Sequence, residues 1–277
     1  MLGNIIDYQK TYFFRYINKS FFALLLKEIK MKDYDYSVQA KYYDVLEENP
    51  TVEAFNKVLD RLLKKHKVKS VFDITCGTGA QAIYLDKKGY NVTASDFSKE
   101  MVTIAQNKYP QIKFKQADMR LAKFGNFDAV ISIFNAIGHL SKSDFQKAIQ
   151  NISNNLKTGG LYIFDIFNYD FMKNNFISYE FIDTCKEVDG IKYIRFNNNK
   201  FDKKKQLMTM NQKTYIQEGM DKPKIFKDSW DMQIYSSEQL KNILQKNGFE
   251  VVEFLGMDGK KFDKENSLFI LTIAKKK

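Results

Sequence analysis

The chain has 277 residues, of which 44% are hydrophobic and 28% are charged, a balance that allows a buried core. Its formal net charge of +11 favours anionic ligands, so nucleic acid, phosphorylated small molecules and acidic membranes all stay open as partners. The two cysteines, Cys76 and Cys185, have neither metal-binding nor redox spacing. They give no basis for a disulfide framework and predict a reducing, cytoplasmic compartment.

The first 30 residues contain one apolar run, at 21–26. Six residues fall far short of the roughly 20 that cross a membrane, and a secretory signal needs a longer apolar stretch with a small-residue cleavage site. Residues 12–29 instead have the pattern of an amphipathic helix. We expect this helix to pack on the body or cap the site, and a membrane-surface or partner-binding helix is the alternative.

Further along the chain, apolar runs alternate with amphipathic segments. The pattern predicts strands at 70–74, 91–95, 112–116, 127–133 and 161–167. It predicts helices at 40–46, 52–66, 80–88 and 144–156, and a further helix that begins at Ser98 as its N-cap. Such alternation indicates βαβ units and a parallel sheet covered on both faces. After residue 179 the pattern changes to β-rich segments at 180–187, 193–197, 206–217 and 224–234, which predict an antiparallel insert of three to four strands. A helix to Asn247 and an antiparallel pair at 249–255 and 268–274 then return to the main sheet.

A glycine-containing turn follows the first predicted strand, in the run Asp73-Ile74-Thr75-Cys76-Gly77-Thr78-Gly79. Glycine at 77 and 79 leaves no Cβ in the way of a ligand that approaches the backbone. The turn alone is a weak signal, because many βα turns contain two glycines and the third glycine of the dinucleotide fingerprint is missing.

Acidic residues near the carboxyl ends of the first three strands strengthen that signal. Asp96 can accept hydrogen bonds from both hydroxyls of a ribose. Asp118, with its adjacent backbone, can bind the edge of an adenine, and Asp73 can meet an amino group of the ligand directly or through water. Any one of them is consistent with an ordinary strand end, but together they indicate one nucleoside-binding slot.

Residues 36–167 resemble a class I S-adenosylmethionine-dependent methyltransferase. Residues 73–79, 96–101 and 116–119 are similar to the family's successive cofactor motifs, and 127–130 and 156–160 match its fourth- and fifth-strand signatures. The resemblance implies a Rossmann-like α/β fold, with a seven-stranded, mostly parallel sheet, helices on both faces and a small antiparallel β insert. It implies S-adenosylmethionine as cofactor, with binding candidates Tyr43, Asp73, Cys76, Gly77, Gly79, Asp96, Phe97, Met101, Asp118, Met119 and Phe134.

A narrower resemblance concerns the acceptor. Residues 35–37, 43–44 and 134–140 look like the bacterial N-methyltransferases that act on amino groups of nucleotide-linked deoxyamino sugars. The resemblance implies that Tyr36 and His139 lie near the acceptor as candidate catalytic residues. An imidazole with a pKa of roughly 6.5 could take a proton from an ammonium or orient a hydroxyl, and a histidine that only caps the next helix is the alternative. The first 30 residues and the lysine-rich insert depart from this subgroup.

These observations predict three parts: a helical segment or lid at 1–50, a cofactor-binding domain at 51–178 and 235–277, and an insert at 179–234 that covers the acceptor. The expected function is methyl transfer from S-adenosylmethionine to a small molecule, an amine or a nucleotide-linked amino sugar, with an anionic acceptor as one option. A methyltransferase for RNA or protein and a non-catalytic cofactor-binding module are the alternatives. We expect no metal site and no membrane span, and the oligomeric state stays open.

Overall fold

The computed structural model describes residues 31–47 and 50–277. The amphipathic helix predicted at 12–29 lies outside these residues, as does most of the lid segment predicted at 1–50. Across the described ranges, no helix combines the length and the apolar character that a membrane crossing requires.

Helices and strands alternate through the first part of the chain. The helices are α1 (Tyr36–Glu47), α2 (Pro50–Lys65), α3 (Ala80–Lys87), α4 (Lys99–Lys108), a 3₁₀ helix (Ala136–His139), α5 (Lys142–Asn154), α6 (Tyr169–Asn175) and α7 (Ser237–Lys246). The strands are β1 (Ser70–Asp73), β2 (Asn91–Asp96), β3 (Phe114–Gln116), β4 (Phe127–Ser132), β5 (Leu156–Phe167), β6 (Glu180–Val188), β7 (Ile191–Asn198), β8 (Lys200–Asp202), β9 (Leu207–Glu218), β10 (Lys224–Gln233), β11 (Phe249–Leu255) and β12 (Phe269–Lys276).

The main sheet has seven strands in the order β11-β12-β5-β4-β1-β2-β3. The pairs β1–β2, β1–β4, β2–β3 and β4–β5 are parallel, and β12 runs antiparallel to both of its neighbours. This confirms the predicted seven-stranded, mostly parallel sheet. Strand β1 lies where the winding of the sheet changes direction, and such a switch point opens a crevice beyond the carboxyl ends of the strands.

The sheet buries both of its faces, as the continuous apolar runs predicted. On one face Phe72 joins a core cluster with Phe145 of α5 and Leu240 of α7. On the other face its neighbour Val71 packs with Leu59 of α2. Successive side chains of β1 therefore belong to different layers, as the two-residue period of a strand requires. Ser98, predicted as a helix cap, caps α4 by accepting the N–H of Met101.

The antiparallel sheet has five strands, in the order β10-β9-β7-β6 with β8 paired to β9. The prediction of three to four strands was wrong because it missed the short strand β8, whose three residues are too few to show an alternating pattern. Strand β5 begins at Leu156, earlier than the predicted residue 161, because Leu156 already pairs with Phe127 of β4, ahead of an irregularity in the ladder between the two strands. The helices α6 and Ala136–His139 were also missed, since each is too short to show a helical period.

Helix α1 contacts both sheets. Glu47 at its end forms an ion pair with Arg195 of β7, which also binds Asp183 of β6 at 2.5 Å. On the opposite side, Asp44 of α1 accepts a hydrogen bond from Thr78 at 2.5 Å, in the turn after β1. The helix therefore bridges the insert and the glycine-containing turn.

We expect Arg195→Ala to lower the free energy of unfolding by about 1.5–3 kcal/mol, because a largely buried guanidinium bonded to two carboxylates is lost. Urea titration followed by circular dichroism measures this change. Lys57→Ala, which breaks an exposed ion pair with Glu53, is the matched control and should leave the transition where it is. Equal effects of the two substitutions would contradict the bridging role of Arg195.

Candidate active site

The turn between β1 and α3 has two glycines in left-handed backbone, Gly77 at φ 52° and Gly79 at φ 90°. Among the residues that the structure describes, a Cβ on Gly77 would meet nothing within 4 Å, so they leave this side of the turn open. A Cβ on Gly79 would lie 3.1 Å from Ile83 Cδ1 and from Phe114 Cζ, so packing as well as backbone conformation requires glycine there. The turn thus presents bare backbone at the carboxyl edge of the sheet.

Asp96 joins two neighbouring turns at this edge. Its Oδ2 accepts the N–H of Gly77 at 2.8 Å, and its Oδ1 accepts the N–H of Ser98 at 2.9 Å. Burial raises the pKa of Asp96 above its ordinary value, while the N–H donors of Ser98 and Gly77 act against that rise. A carboxylate offers about four acceptor positions, so Asp96 keeps capacity for further hydroxyl donors.

Asp73 is a buried carboxyl with an unused acceptor. It is 2% exposed, and its Oδ2 has no hydrogen-bond partner within the described part of the chain. Burial raises its pKa to about 8, opposed by the N–H of Thr75 and supported by the charge of Asp96. The carboxyl is therefore protonated at neutral pH, and a cationic group beside it would favour ionisation.

Asp118 differs from the other two acids, because Arg120 already occupies it. The guanidinium Nε lies 3.0 Å from both carboxylate oxygens, and Nη2 lies 2.6 Å from Oδ2. Burial acts to raise the pKa of Asp118, but the hydrogen bonds from Arg120 outweigh it and lower the pKa. Asp118 nevertheless lies at the same edge, since the N–H of Ala117 bonds the backbone oxygen of Asp96 at 2.9 Å.

The remaining predicted cofactor residues divide by exposure. Phe97, next to Asp96, is 72% exposed and offers a free ring at the cleft. Cys76, Met101 and Met119 are buried. Cys76 and Met101 therefore support the turns through packing. Burial also raises the pKa of the Cys76 thiol well above its ordinary value. The ring of Phe134 packs against Phe55 of α2, with ring centres 5.5 Å apart.

Tyr36 and His139, distant in sequence, meet at the same edge. The Tyr36 hydroxyl lies 3.2 Å from His139 Nε2, and the ring of Tyr43 lies 6.2 Å from that of Tyr36. Burial lowers the pKa of His139 to about 4, with Asp33 acting weakly in the opposite direction. The imidazole is therefore neutral at neutral pH. Helix α5 is capped by Ser141, which accepts the N–H of Asp144 at 3.1 Å, so His139 is not its cap.

Two acidic residues at the site were missed by the sequence analysis. Asp44 holds Thr78 and also pairs with Lys108 at 2.5 Å. Asp165 is fully buried in β5 and bonds the backbone after β4. The signal for Asp165 was a single charge inside the apolar run 161–167, whereas Asp44 lay in the segment 43–44 of the narrower resemblance but was given no role. Among residues 31–47 and 50–277, no group of histidine, cysteine and acidic side chains could hold a metal ion.

Comparison with known proteins places this architecture in a family. A family described as "Methyltransferase domain" matches residues 71–160. A putative methyltransferase of Geobacillus sp. (strain WCH70) is 30% identical over 165 residues, which cover 56% of this chain and 67% of the relative. The crystal structure of an S-adenosylmethionine-dependent methyltransferase from Clostridium acetobutylicum ATCC 824 has a TM-score of 0.73 at 21% identity and covers 87% of this chain and 98% of that one.

The chain belongs to the class I S-adenosylmethionine-dependent methyltransferases. Glycine/sarcosine N-methyltransferase of Parasynechococcus marenigrum (strain WH8102) is a further relative, 37% identical over 130 residues that cover 44% of this chain and 46% of the relative. This methyltransferase therefore spans about half the length of the first curated relatives it matches.

In this methyltransferase, we expect cofactor binding at pH 7 to release close to one proton from Asp73, because its pKa of about 8 falls when a cationic group arrives. Calorimetry with S-adenosylmethionine in buffers of different ionisation enthalpy measures the release. Asp73→Asn should abolish it. Asp60→Asn, which removes a carboxylate of α2 that accepts a hydrogen bond from Tyr90, should leave the release intact. A binding enthalpy of the unmodified chain that does not depend on the buffer would contradict the expectation that Asp73 meets the amino group of the cofactor.

Proposed function

We propose that this chain transfers a methyl group from S-adenosylmethionine to the amino nitrogen of a small molecule. The observation that carries the proposal is the Tyr36–His139 pair, which lies at the same sheet edge as Asp73, Gly77 and Asp96. The relative from Parasynechococcus marenigrum, named a glycine/sarcosine N-methyltransferase, supports an amine as the acceptor.

The residues of the edge fit the cofactor. We assign the open backbone of Gly77 and the carboxylate of Asp96 to the ribose. We assign the Oδ2 of Asp73, which has no hydrogen-bond partner among the described residues, to the amino group. We assign the exposed ring of Phe97 to stacking on the adenine. Asp118, whose carboxylate is held by Arg120, would bind the edge of the adenine. When bound, S-adenosylmethionine supplies an electrophilic methyl group on a positively charged sulfur.

His139 orients the acceptor in this proposal and does not deprotonate it. An ordinary amino group has a pKa of roughly 8, about four units above that of His139, so proton transfer from ammonium to this imidazole would cost about 5 kcal/mol. The neutral ring and the Tyr36 hydroxyl can instead hold an unprotonated nitrogen by hydrogen bonds. Positioning of that kind supplies much of the rate in a reaction between two bound groups.

Aromatic rings and acidic groups surround the proposed acceptor position. Tyr34 packs on Tyr36 and on Trp230, with ring centres 4.5 Å apart in each case. Aromatic faces exclude water and stabilise positive charge by about 0.5–2 kcal/mol. Burial is the largest cause that raises the pKa of Tyr34, and the carboxylates of Asp228 and Glu47 raise it further; Arg195 acts against them, and Asp35 adds a smaller rise.

That local negative charge favours an amine over a polyanion, although the whole chain is basic. An RNA acceptor would call for a lysine and arginine stripe that leads to Tyr36. A nucleotide-linked amino sugar stays compatible, because residues 134–140 resemble enzymes for that class and its phosphates could lie away from the acidic side chains. The finer acceptor class is therefore part of the proposal, with glycine and sarcosine as the first probes.

We expect S-adenosylhomocysteine to form with an amine acceptor, and His139→Ala and Tyr36→Phe each to lower turnover about 10- to 100-fold, as loss of one oriented hydrogen bond predicts. Chromatographic assay of S-adenosylhomocysteine over amines and hydroxyl compounds measures this. His66→Ala and Tyr109→Phe are matched controls that should keep full turnover, since Tyr109 bonds Asp86 away from the site. A chain that binds the cofactor but yields no product with any acceptor would be a non-catalytic module.

The pH dependence of turnover tests the orienting role. With saturating cofactor and with glycine as the varied acceptor, kcat/KM should rise about tenfold per unit from pH 6 to pH 7.5, because the amino group of glycine titrates above this range and its unprotonated fraction rises in that way. His139 is already neutral across this range, so His139→Ala should lower the curve without moving its midpoint. A midpoint that moves with the His139 substitution would make His139 the proton acceptor.

A further inference from the structure

Asp165 is a fully buried carboxylate in an apolar strand. It lies in β5 between Phe164 and Ile166, which are also fully buried. The parallel pairing of β4 with β5 ends at Ser132, which lies opposite Phe164. Just beyond that point, Asp165 Oδ1 accepts the N–H of Phe134 at 2.6 Å and Oδ2 accepts the N–H of Asn135 at 3.1 Å.

The two residues that Asp165 holds have unusual backbone. Phe134 has φ 62° and Asn135 has φ 59°, both in the left-handed region. A phenylalanine rarely adopts this conformation, since its Cβ crowds the next carbonyl oxygen. Two left-handed residues in succession need external contacts to persist. The paired acceptor oxygens of Asp165 provide such contacts at both N–H groups.

The turn leads directly to His139. The carbonyl of Asn135 accepts the N–H of Gly138 at 2.8 Å, which starts the 3₁₀ helix. On its other side this helix is confined by the insert, since a Cβ on Gly138 would lie 2.9 Å from Met232 Cε of β10 and 3.0 Å from Ile166 Cδ1. The position of His139 is therefore set by β5 on one side and by β10 on the other.

We propose that Asp165 is a positioning residue for His139, fixing the left-handed turn at Phe134 and Asn135 so that the imidazole meets Tyr36 at the acceptor position. The inference rests on the proposed function for the role of His139. Asp165 itself does not touch the acceptor, because it is enclosed in the sheet and both of its oxygens face backbone N–H groups.

Asp128 is the matched control. Its Oδ2 accepts the N–H groups of Lys69 at 3.0 Å and Ser70 at 2.9 Å, so it too holds backbone from a side chain of the sheet. It lies at the amino end of β4, opposite to the proposed site. A merely structural effect of losing such a carboxylate should appear in Asp128→Asn as well as in Asp165→Asn.

Nuclear magnetic resonance of the histidines tests the proposal in the full chain without cofactor or acceptor. The chain has two histidines, so His66→Gln leaves His139 as the single titrating imidazole. We expect its pKa of about 4 to rise by at least one unit in Asp165→Asn and to stay unchanged in Asp128→Asn. Burial raises the pKa of Asp165 to about 7, so this carboxyl is already uncharged near pH 4 and its replacement by Asn changes no charge there; a rise in the His139 pKa therefore reports a displaced ring. A folded Asp165→Asn protein with the original His139 pKa would overturn the proposal.

Asp165→Asn could fail to fold, and a second variant then carries the test. Glycine adopts left-handed backbone freely, so Phe134→Gly with Asn135→Gly removes the need for the carboxylate. We expect Asp165→Asn to fold in the Phe134→Gly, Asn135→Gly background. The drop in unfolding midpoint that Asp165→Asn causes there should be smaller than the drop that it causes in the unmodified chain. A triple variant that also fails to fold would show that Asp165 serves the sheet and not the turn, which overturns the proposal.

Activity provides a further readout once an acceptor is known. If Asp165 acts through His139, Asp165→Asn should lower turnover about as far as His139→Ala, and the double variant should be no worse than either. Multiplying losses would mean that the two residues act separately. The resonance result does not depend on turnover. A chain that methylates nothing would therefore refute the proposed function, while the resonance experiment alone would still decide whether Asp165 positions His139.

Discussion

The hydrogen bonds that Asp96 accepts from Gly77 and Ser98 join the first two crossover turns of the sheet. They are possible because β1 and β2 are parallel neighbours whose carboxyl ends meet at the same edge. A glycine at 77 allows the left-handed turn that aims its N–H at the carboxylate. The position of the proposed ribose site, and of Asp73 beside it, follows from this one contact between turns.

The acceptor half of the site depends on longer connections. Helix α1 carries Tyr36 and Tyr43, and its position is fixed by Asp44 on the glycine-containing turn and by Glu47 on the insert. The 3₁₀ helix that carries His139 lies between β5 and β10. The antiparallel sheet therefore contacts both the 3₁₀ helix and α1, and α1 links the two halves of the candidate site.

The net charge of the whole chain differs in sign from most of the charges near the proposed acceptor position. A net charge of +11 describes the whole surface, yet the charges that act on Tyr34 are mostly carboxylates. Surface lysines lie in water, where their effect falls off within about 8 Å at physiological salt, whereas the carboxylates near Tyr34 act at short range on the proposed acceptor position. The composition thus favoured an anionic partner, whereas the local electrostatics near the proposed acceptor position do not favour one.

Local patterns in the sequence predicted the parts of the structure that depend on neighbours in the chain. The parallel strands and the cap at Ser98 are of this kind, since each follows from hydrophobic period or turn chemistry within a few residues. Strand β8 and the 3₁₀ helix were too short for any period to appear. The bonds of Asp165 to a turn some thirty positions earlier, and of Asp44 to Thr78, are tertiary contacts that no local pattern encodes.

The central claim is that Asp96, placed by the first two turns, holds the ribose of S-adenosylmethionine. Calorimetric titration of the full chain with the cofactor, compared with Asp96→Ala and with the remote Asp128→Ala, tests it most directly. We expect the unmodified chain and Asp128→Ala to bind alike, and Asp96→Ala to bind about 10- to 100-fold more weakly, as the loss of hydrogen bonds to a charged acceptor predicts. A folded Asp96→Ala protein with undiminished affinity, or an unmodified chain that does not bind S-adenosylmethionine, would contradict the account.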